Sequence, residues 1–175
     1  MNGHPGKPGS LSKALFPTVD KPLDIECVAD YPILAETYAA WLNLCDPDPP
    51  DTIDPVLIPP RALSHMMLVD LDFEQKDATV RLAGTTACDL YGREMRGISV
   101  HDFFDEEDGP LVLASLFSAA CEGRPTLAKR SHISIAGLPW SYTRLILPYH
   151  KRAGRCEKIA KVVEPETLTR ITGKS

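Results

Sequence analysis

The chain has 175 residues, 43% of them hydrophobic and 25% charged, with a net charge of −5; this is ordinary globular composition without the basic excess that phosphate neutralisation demands, so no nucleic-acid partner is expected. No apolar run reaches the roughly 18 residues of a membrane span, and MNGHPGKPGSLSKALFP lacks a secretory apolar core, so the expectation is a cytoplasmic protein with no membrane insertion. Cys27, Cys45, Cys88, Cys121 and Cys156 are scattered without a C-x-x-C pair, which favours reduced thiols over a disulfide framework or a structural zinc site.

Residues 1–22 are rich in Gly, Pro, Ser and Lys and show no periodicity, which predicts a flexible arm. Leu11, Leu15 and Phe16 are its candidate docking points, on a partner or on the domain itself. Residues 23–58 carry a flanking helix and a proline-rich connection. Leu34, Tyr38, Trp41 or Leu42, and Cys45 recur at helical spacing over 31–45, with Asp30 as the expected cap and Pro32 in the first turn. DPDPPDTIDP cannot continue that helix.

The main domain is expected over 59–166. HMMLVDLDF reads as a strand, with Met67, Val69, Leu71 and Phe73 on one face and Asp70 and Asp72 on the other. EQKD joins it to TVRLA as an antiparallel hairpin. In the stretch TVRLAGTTACDLYGREMRG, Gly84 closes the strand, Thr85 or Thr86 is the expected helix cap, and Gly92 is the expected stop. Such glycine punctuation invites a nucleotide-binding guess, but G-x-G-x-x-G is absent and no parallel βαβ pattern surrounds it. Ser99 can cap a short helix through Phe104. A longer helix over 109–122 buries Leu113, Leu116, Phe117 and Ala120. Three strands follow over 126–136, 140–149 and 156–164, turning at GLP and KRAGR, before a tail over 167–175. The last strand alternates Ile159, Lys161, Val163 against Lys158, Ala160, Val162, so its facing stays open.

This order resembles a PAS domain. RLAGTTACDLYGREMRG is similar to the motif of stand-alone bacterial PAS-like proteins, through Arg81, Gly84, Thr85, Tyr91, Gly92, Arg93 and Gly97. The helix with Trp41, the IDP segment at residues 53–55 and RLILP at residues 144–148 extend the resemblance to roughly residues 30–165. The lysine- and arginine-rich turn after Tyr149 departs from it and leaves the register of the last hairpin open. The resemblance implies an α+β fold: a five-stranded antiparallel sheet with helices over one face and an N-terminal flanking helix. It also implies a sensory or regulatory module, non-enzymatic, that passes a signal to a signalling protein partner, with a homodimer as one form of contact.

The residues bear on a ligand in different ways. Tyr142 and Arg144 share a strand face with Trp140 and Ile146. If that face points at the helices, an arginine beside aromatics can hold an anionic small molecule; if it points out, it is a surface ladder. Arg81 poses the same choice, with an ion pair as its bland role. Tyr91, Phe103, Phe104 and Phe117 are the other candidate cleft residues, although aromatics at helical spacing are usually core. Tyr38, Trp41 and Leu42 are candidate dimer or partner contacts, and packing on the domain's own sheet is equally compatible. Flavin is not expected: laying GISVHDFF on the G-x-N-C-R-F-L-Q segment of flavin-binding PAS domains puts Val100 at the thiol position. Haem is not expected either, because PLVLASLFSAACE contains no histidine, leaving His101 and His132 as ligands in other positions. No catalytic triad or metal cluster is readable, Asp54, His65, Asp70, Asp72 and the DEED run included. Two other classes stay open, a small α+β enzyme with a cleft Cys or His/Asp pair, and a structural adaptor with a filled core.

Overall fold

The computed structural model describes residues 18–172. Leu11, Leu15 and Phe16 of the expected arm lie outside the described residues. The fold opens with strand β1 (Val19–Leu23), a 3-10 turn at Ile25–Asp30 and helix α1 (Pro32–Leu44). A second 3-10 turn at Pro55–Leu57 and α2 (Pro60–Leu63) lead to the hairpin β2 (Met66–Asp72) and β3 (Asp77–Ala83). Helices α3 (Thr85–Tyr91), α4 (Val100–Phe103) and α5 (Asp108–Glu122) follow. The chain then returns to sheet through β4 (Thr126–Ile135), β5 (Leu138–Arg152) and β6 (Arg155–Val163), and reaches a short β7 (Thr169–Arg170).

The strands form one antiparallel sheet in the order β1-β4-β5-β6-β2-β3, with β7 paired to the start of β5. β2 to β6 are the five expected strands; β1 and β7 enlarge the sheet to seven. β1 corrects the expected extent of the arm. VDKPL carries no alternation of its own, and it becomes a strand because β4 offers an open edge along Leu127–Ser131, with which it pairs residue for residue.

Helices cover both faces of the sheet, because the expected flanking helix packs on the domain's own sheet opposite the others. α3 to α5 pack on the inner face over Met67, Val69, Val80, Tyr142, Ile146 and Ile159. α1 packs on the outer face of the same sheet, where Leu34 and Trp41 meet Leu127, Leu145, Leu147 and Val162. The Trp41 indole Nε1 donates to the Pro148 carbonyl at 3.0 Å. The physical cause is visible in β6: Ile159 is buried inward and Ala160 and Val162 outward, so neither face can be left in water.

Long-range contacts fix the local ends. Glu164, just past β6, accepts from the backbone N–H of Ile33 at 2.9 Å and of Leu34 at 3.3 Å, and so caps α1. Asp30, the expected cap, instead ends the preceding 3-10 turn. Neither Thr85 nor Thr86 caps α3; that position is Gly84, where an added Cβ would lie 2.4 Å from the carbonyl oxygens of Leu63 and Ser64. KRAGR closes as a two-residue turn, with Ala153 at φ 49° and Gly154 at φ 81° pairing Arg152 with Arg155. The basic turn therefore keeps the hairpin in register. In the first hairpin the register shifts between Leu68 and Val69, which leaves Arg81 as the extra residue of a bulge.

Candidate functional site

Alternation along β5 decides the facing that the sequence leaves open. Tyr142 and Ile146 are buried beneath the helices, and Arg144 points to the same inner side, where it lines a cavity. The cavity lies between the sheet and α3 to α5 and measures about 30 Å³, room for a water or two. Met67, Val80, Val100, Phe103, Phe104 and Leu116 give it apolar walls. A second space of about 20 Å³ shares Met67, Tyr91 and Lys161 with it.

Three basic side chains reach this apolar interior. Arg130, Arg144 and Lys161 are 1%, 2% and 7% exposed, and all line the larger cavity. Burying such groups is costly unless they are paired. Arg130 donates from Nη2 to Ser115 Oγ on α5 at 2.9 Å and to Asp20 Oδ2 on β1 at 3.1 Å. Arg144 donates from Nη1 to the Thr126 hydroxyl at 2.9 Å and its carbonyl at 3.2 Å, and from Nη2 to the same Asp20 oxygen at 3.5 Å. Lys161 Nζ donates to the Tyr142 hydroxyl at 3.3 Å and lies 5.0 Å from the centre of that ring.

The electrostatics follow from burial and mutual charge. Burial, then the neighbouring Arg130 charge, push Arg144 down to about 10, so it stays charged near neutrality. Burial also lowers Lys161. For Tyr142, burial works upward but is outweighed by the Lys161 and Arg130 charges, and its hydroxyl is lowered. For Arg130, burial works downward and is outweighed by Tyr142 and Asp20, leaving it raised. Tyr91 goes well above the ordinary phenol value, chiefly through burial.

Of the expected cleft residues, Tyr91, Phe103, Phe104 and Arg144 line the cavity, and Tyr142 lies against its Lys161 wall. Tyr91 and Phe103 pack edge to face at 5.1 Å. Two others are elsewhere. Phe117 packs edge-on against Phe73 at 4.9 Å, outside the lining. Arg81 is exposed at the bulge, where its charge acts on the outer-face Tyr149. Tyr38 stacks on Trp41 at 6.3 Å, and Leu42 is 47% exposed.

Arg130, Lys161, Ser115 and Asp20 are the residues that sequence reasoning missed. Lys161 had a signal, since it shares its strand face with Ile159 and Val163. Arg130 had less, because a bulge between Arg130 and Ile133 breaks the alternation of β4. Asp20 had none. Val100 lines the cavity, whereas His101 is exposed against the Lys76 carbonyl and neither it nor His132 is in the lining. Among the described residues no group of three His, Cys, Asp or Glu side chains could hold a metal, and the five cysteines are free thiols. Cys121 is exposed on α5, while burial pushes the Cys156 thiol up. No helix of the described residues is long and apolar enough to cross a membrane.

An antiparallel sheet with helices closing a small, partly charged cavity over one face is an α+β fold of the PAS-like kind. The family model described as PAS domain matches residues 36–163, well over half of the chain, and the chain belongs to the PAS domain family. It is accordingly a module of the sensory and regulatory kind. No curated protein and no solved structure matches it.

Proposed function

We propose that this PAS domain is a non-enzymatic, cytoplasmic bacterial sensor that takes a small ligand between sheet and helices and signals by contact with another protein, a second copy included. The observation that carries the ligand part is the convergence of buried Arg130, Arg144 and Lys161 on one apolar-walled cavity. A merely structural core has no use for three desolvated cations, because hydrophobic replacements of similar volume are commonly as stable or more so. The exposed edge of α1 at Leu42, together with Val56 and Leu57, offers apolar surface for the protein contact.

Native mass spectrometry of gently purified protein, followed by melting in a metabolite library, tests this reading. A bound small molecule or a saturable rise in melting temperature supports it; bare polypeptide with no shift from any compound overturns it. One observation favours a filled-core adaptor instead: the cavity volume of about 30 Å³. That adaptor should stay silent in the same screen while still capturing its partner.

A further inference from the structure

Asp20 occupies an unusual position. It lies directly opposite Arg130 in the β1–β4 register, on the inner face of the sheet, and one of its oxygens serves both arginines. Its other oxygen, Oδ1, is buried and has no hydrogen-bond partner among the described residues. The arginines are underused as well. Nε of Arg130 and Nε of Arg144 are both buried without an acceptor among the described residues, although each side chain is at least 97% buried. A guanidinium binds a carboxylate best through two parallel N–H groups, and Asp20, tethered to β1, reaches only one on each arginine. Two guanidiniums thus share one carboxylate oxygen, and the Lys161 ammonium lines the same cavity with the Tyr142 hydroxyl as its partner.

We propose that this site binds a short-chain carboxylate, and that the ligand does so by taking the place of Asp20 and releasing β1. This rests on the ligand-binding reading above and gives it a chemistry and an output. A free carboxylate can align with the Nε and Nη2 donors of one arginine, forming the pair of bonds that the tethered Asp20 does not make. A second carboxylate on the same small molecule would meet the other arginine or Lys161. The existing spaces, about 30 and about 20 Å³ with a shared wall, hold only a few waters, so a ligand of malonate size also needs the room that the Asp20 side chain vacates, and a nucleotide is far too large. Asp20 is 23% exposed where Arg130 is 1% exposed, so the place it holds is approachable from the rim of the site.

β1 is suited to being released. It is a five-residue edge strand paired on one side only, and Val19, Lys21 and Pro22 are exposed. Its ladder to β4, the packing of Leu23 and a hydrogen bond from the Thr18 hydroxyl to Asp108 hold it, and the Asp20 ion pairs are the part of this hold that a ligand carboxylate can replace. A ligand that breaks them loosens the strand at the edge of β4.

The test uses the full chain with malonate and succinate as probes, and with malonamide and inorganic phosphate as controls. Calorimetry should show saturable binding of a dicarboxylate but not of malonamide or phosphate. Asp20→Asn should bind the dicarboxylate about tenfold tighter, because the internal competitor is gone. Hydrogen exchange of the β1 amides in the wild-type protein should speed up by about tenfold on saturation. Unchanged or weaker binding by Asp20→Asn, slower β1 exchange, or equal binding of phosphate would each overturn the inference. If Asp20→Asn does not fold, the wild-type exchange measurement decides alone. If only neutral compounds bind, this inference fails and the ligand-binding reading stands; if nothing binds, both fail.

Discussion

The Lys161 ammonium sits 3.3 Å from the Tyr142 hydroxyl, inside a core where each is at most 7% exposed. The Tyr142 ring is core, but the buried ammonium works against stability. The ammonium is held below its usual pKa, which means that folding works against its charge. Lys161→Met should therefore raise stability by about 1 kcal/mol, or roughly 2–4 °C in melting temperature. Thermal melts near neutral pH check this, and a marked loss of stability would mean that the ammonium is a structural partner of Tyr142.

The phenols set the alkaline behaviour. Tyr149 is raised to about 12, chiefly by burial, against an ordinary value of 10.0. Between those values the native protein keeps a proton that the unfolded chain has lost, so the contribution of Tyr149 is whole below about pH 10 and drains away as pH rises through about 12. Tyr91 acts in the same direction. Lys161 and Tyr142, both lowered, act the opposite way and add stability as pH rises toward about 10. Arg144, lowered to about 10, adds stability above that value and opposes the loss from the phenols. Urea midpoints should thus climb as pH rises toward about 10 and flatten above it, while tyrosinate absorbance shows Tyr91 and Tyr149 ionising only with unfolding.

Trp41 should be a stability residue. Its indole is 5% exposed and bonded to the Pro148 carbonyl. Trp41→Ala should cost about 3–5 kcal/mol in urea unfolding. Leu42→Asp, one residue on and 47% exposed, should stay within about 0.5 kcal/mol. Sedimentation of Leu42→Asp then reads any role in assembly without unfolding the domain.

Two glycines should respond differently to alanine. At Gly84 the new methyl would meet two backbone carbonyls at 2.4 Å, which cannot rotate away. Gly84→Ala should cost about 3 kcal/mol or destroy the fold. Gly97, at φ 82° with nothing within 4 Å, should cost only the left-handed backbone penalty of about 1–2 kcal/mol. Denaturation midpoints of the two variants give the comparison.

The five central strands, α1, α3 and α5 were legible because their signals are local: alternation, helical spacing and glycine stops. What escaped depends on distance in the chain. β1 needs the edge of β4, the α1 cap needs Glu164 from 131 residues away, and the pairing of Arg130 needs Asp20 from 110 residues away. The site divided along the same line. Arg144 and Tyr91 stood out through the strand pattern and the motif they sit in, while Arg130 and Lys161 looked like ordinary charges on strands whose outward face is not outward at all. Arg81 shows the converse. Its motif position drew attention, but the bulge turns it to the surface.

That bulge also governs what can join the sheet. β3 is an outer strand, yet Val80 already accepts from Gly97 N–H at 2.7 Å and donates to the Ile98 carbonyl at 2.9 Å. With the irregular turn at Arg81 beside those bonds, no straight ladder of unpaired groups remains for a neighbouring molecule to copy. The opposite border, β1, contains Pro22, which lacks a donor. Both borders are thus insulated against strand-by-strand polymerisation, and this domain should remain dispersed at concentrations where a protein with bare strand edges would form fibrils.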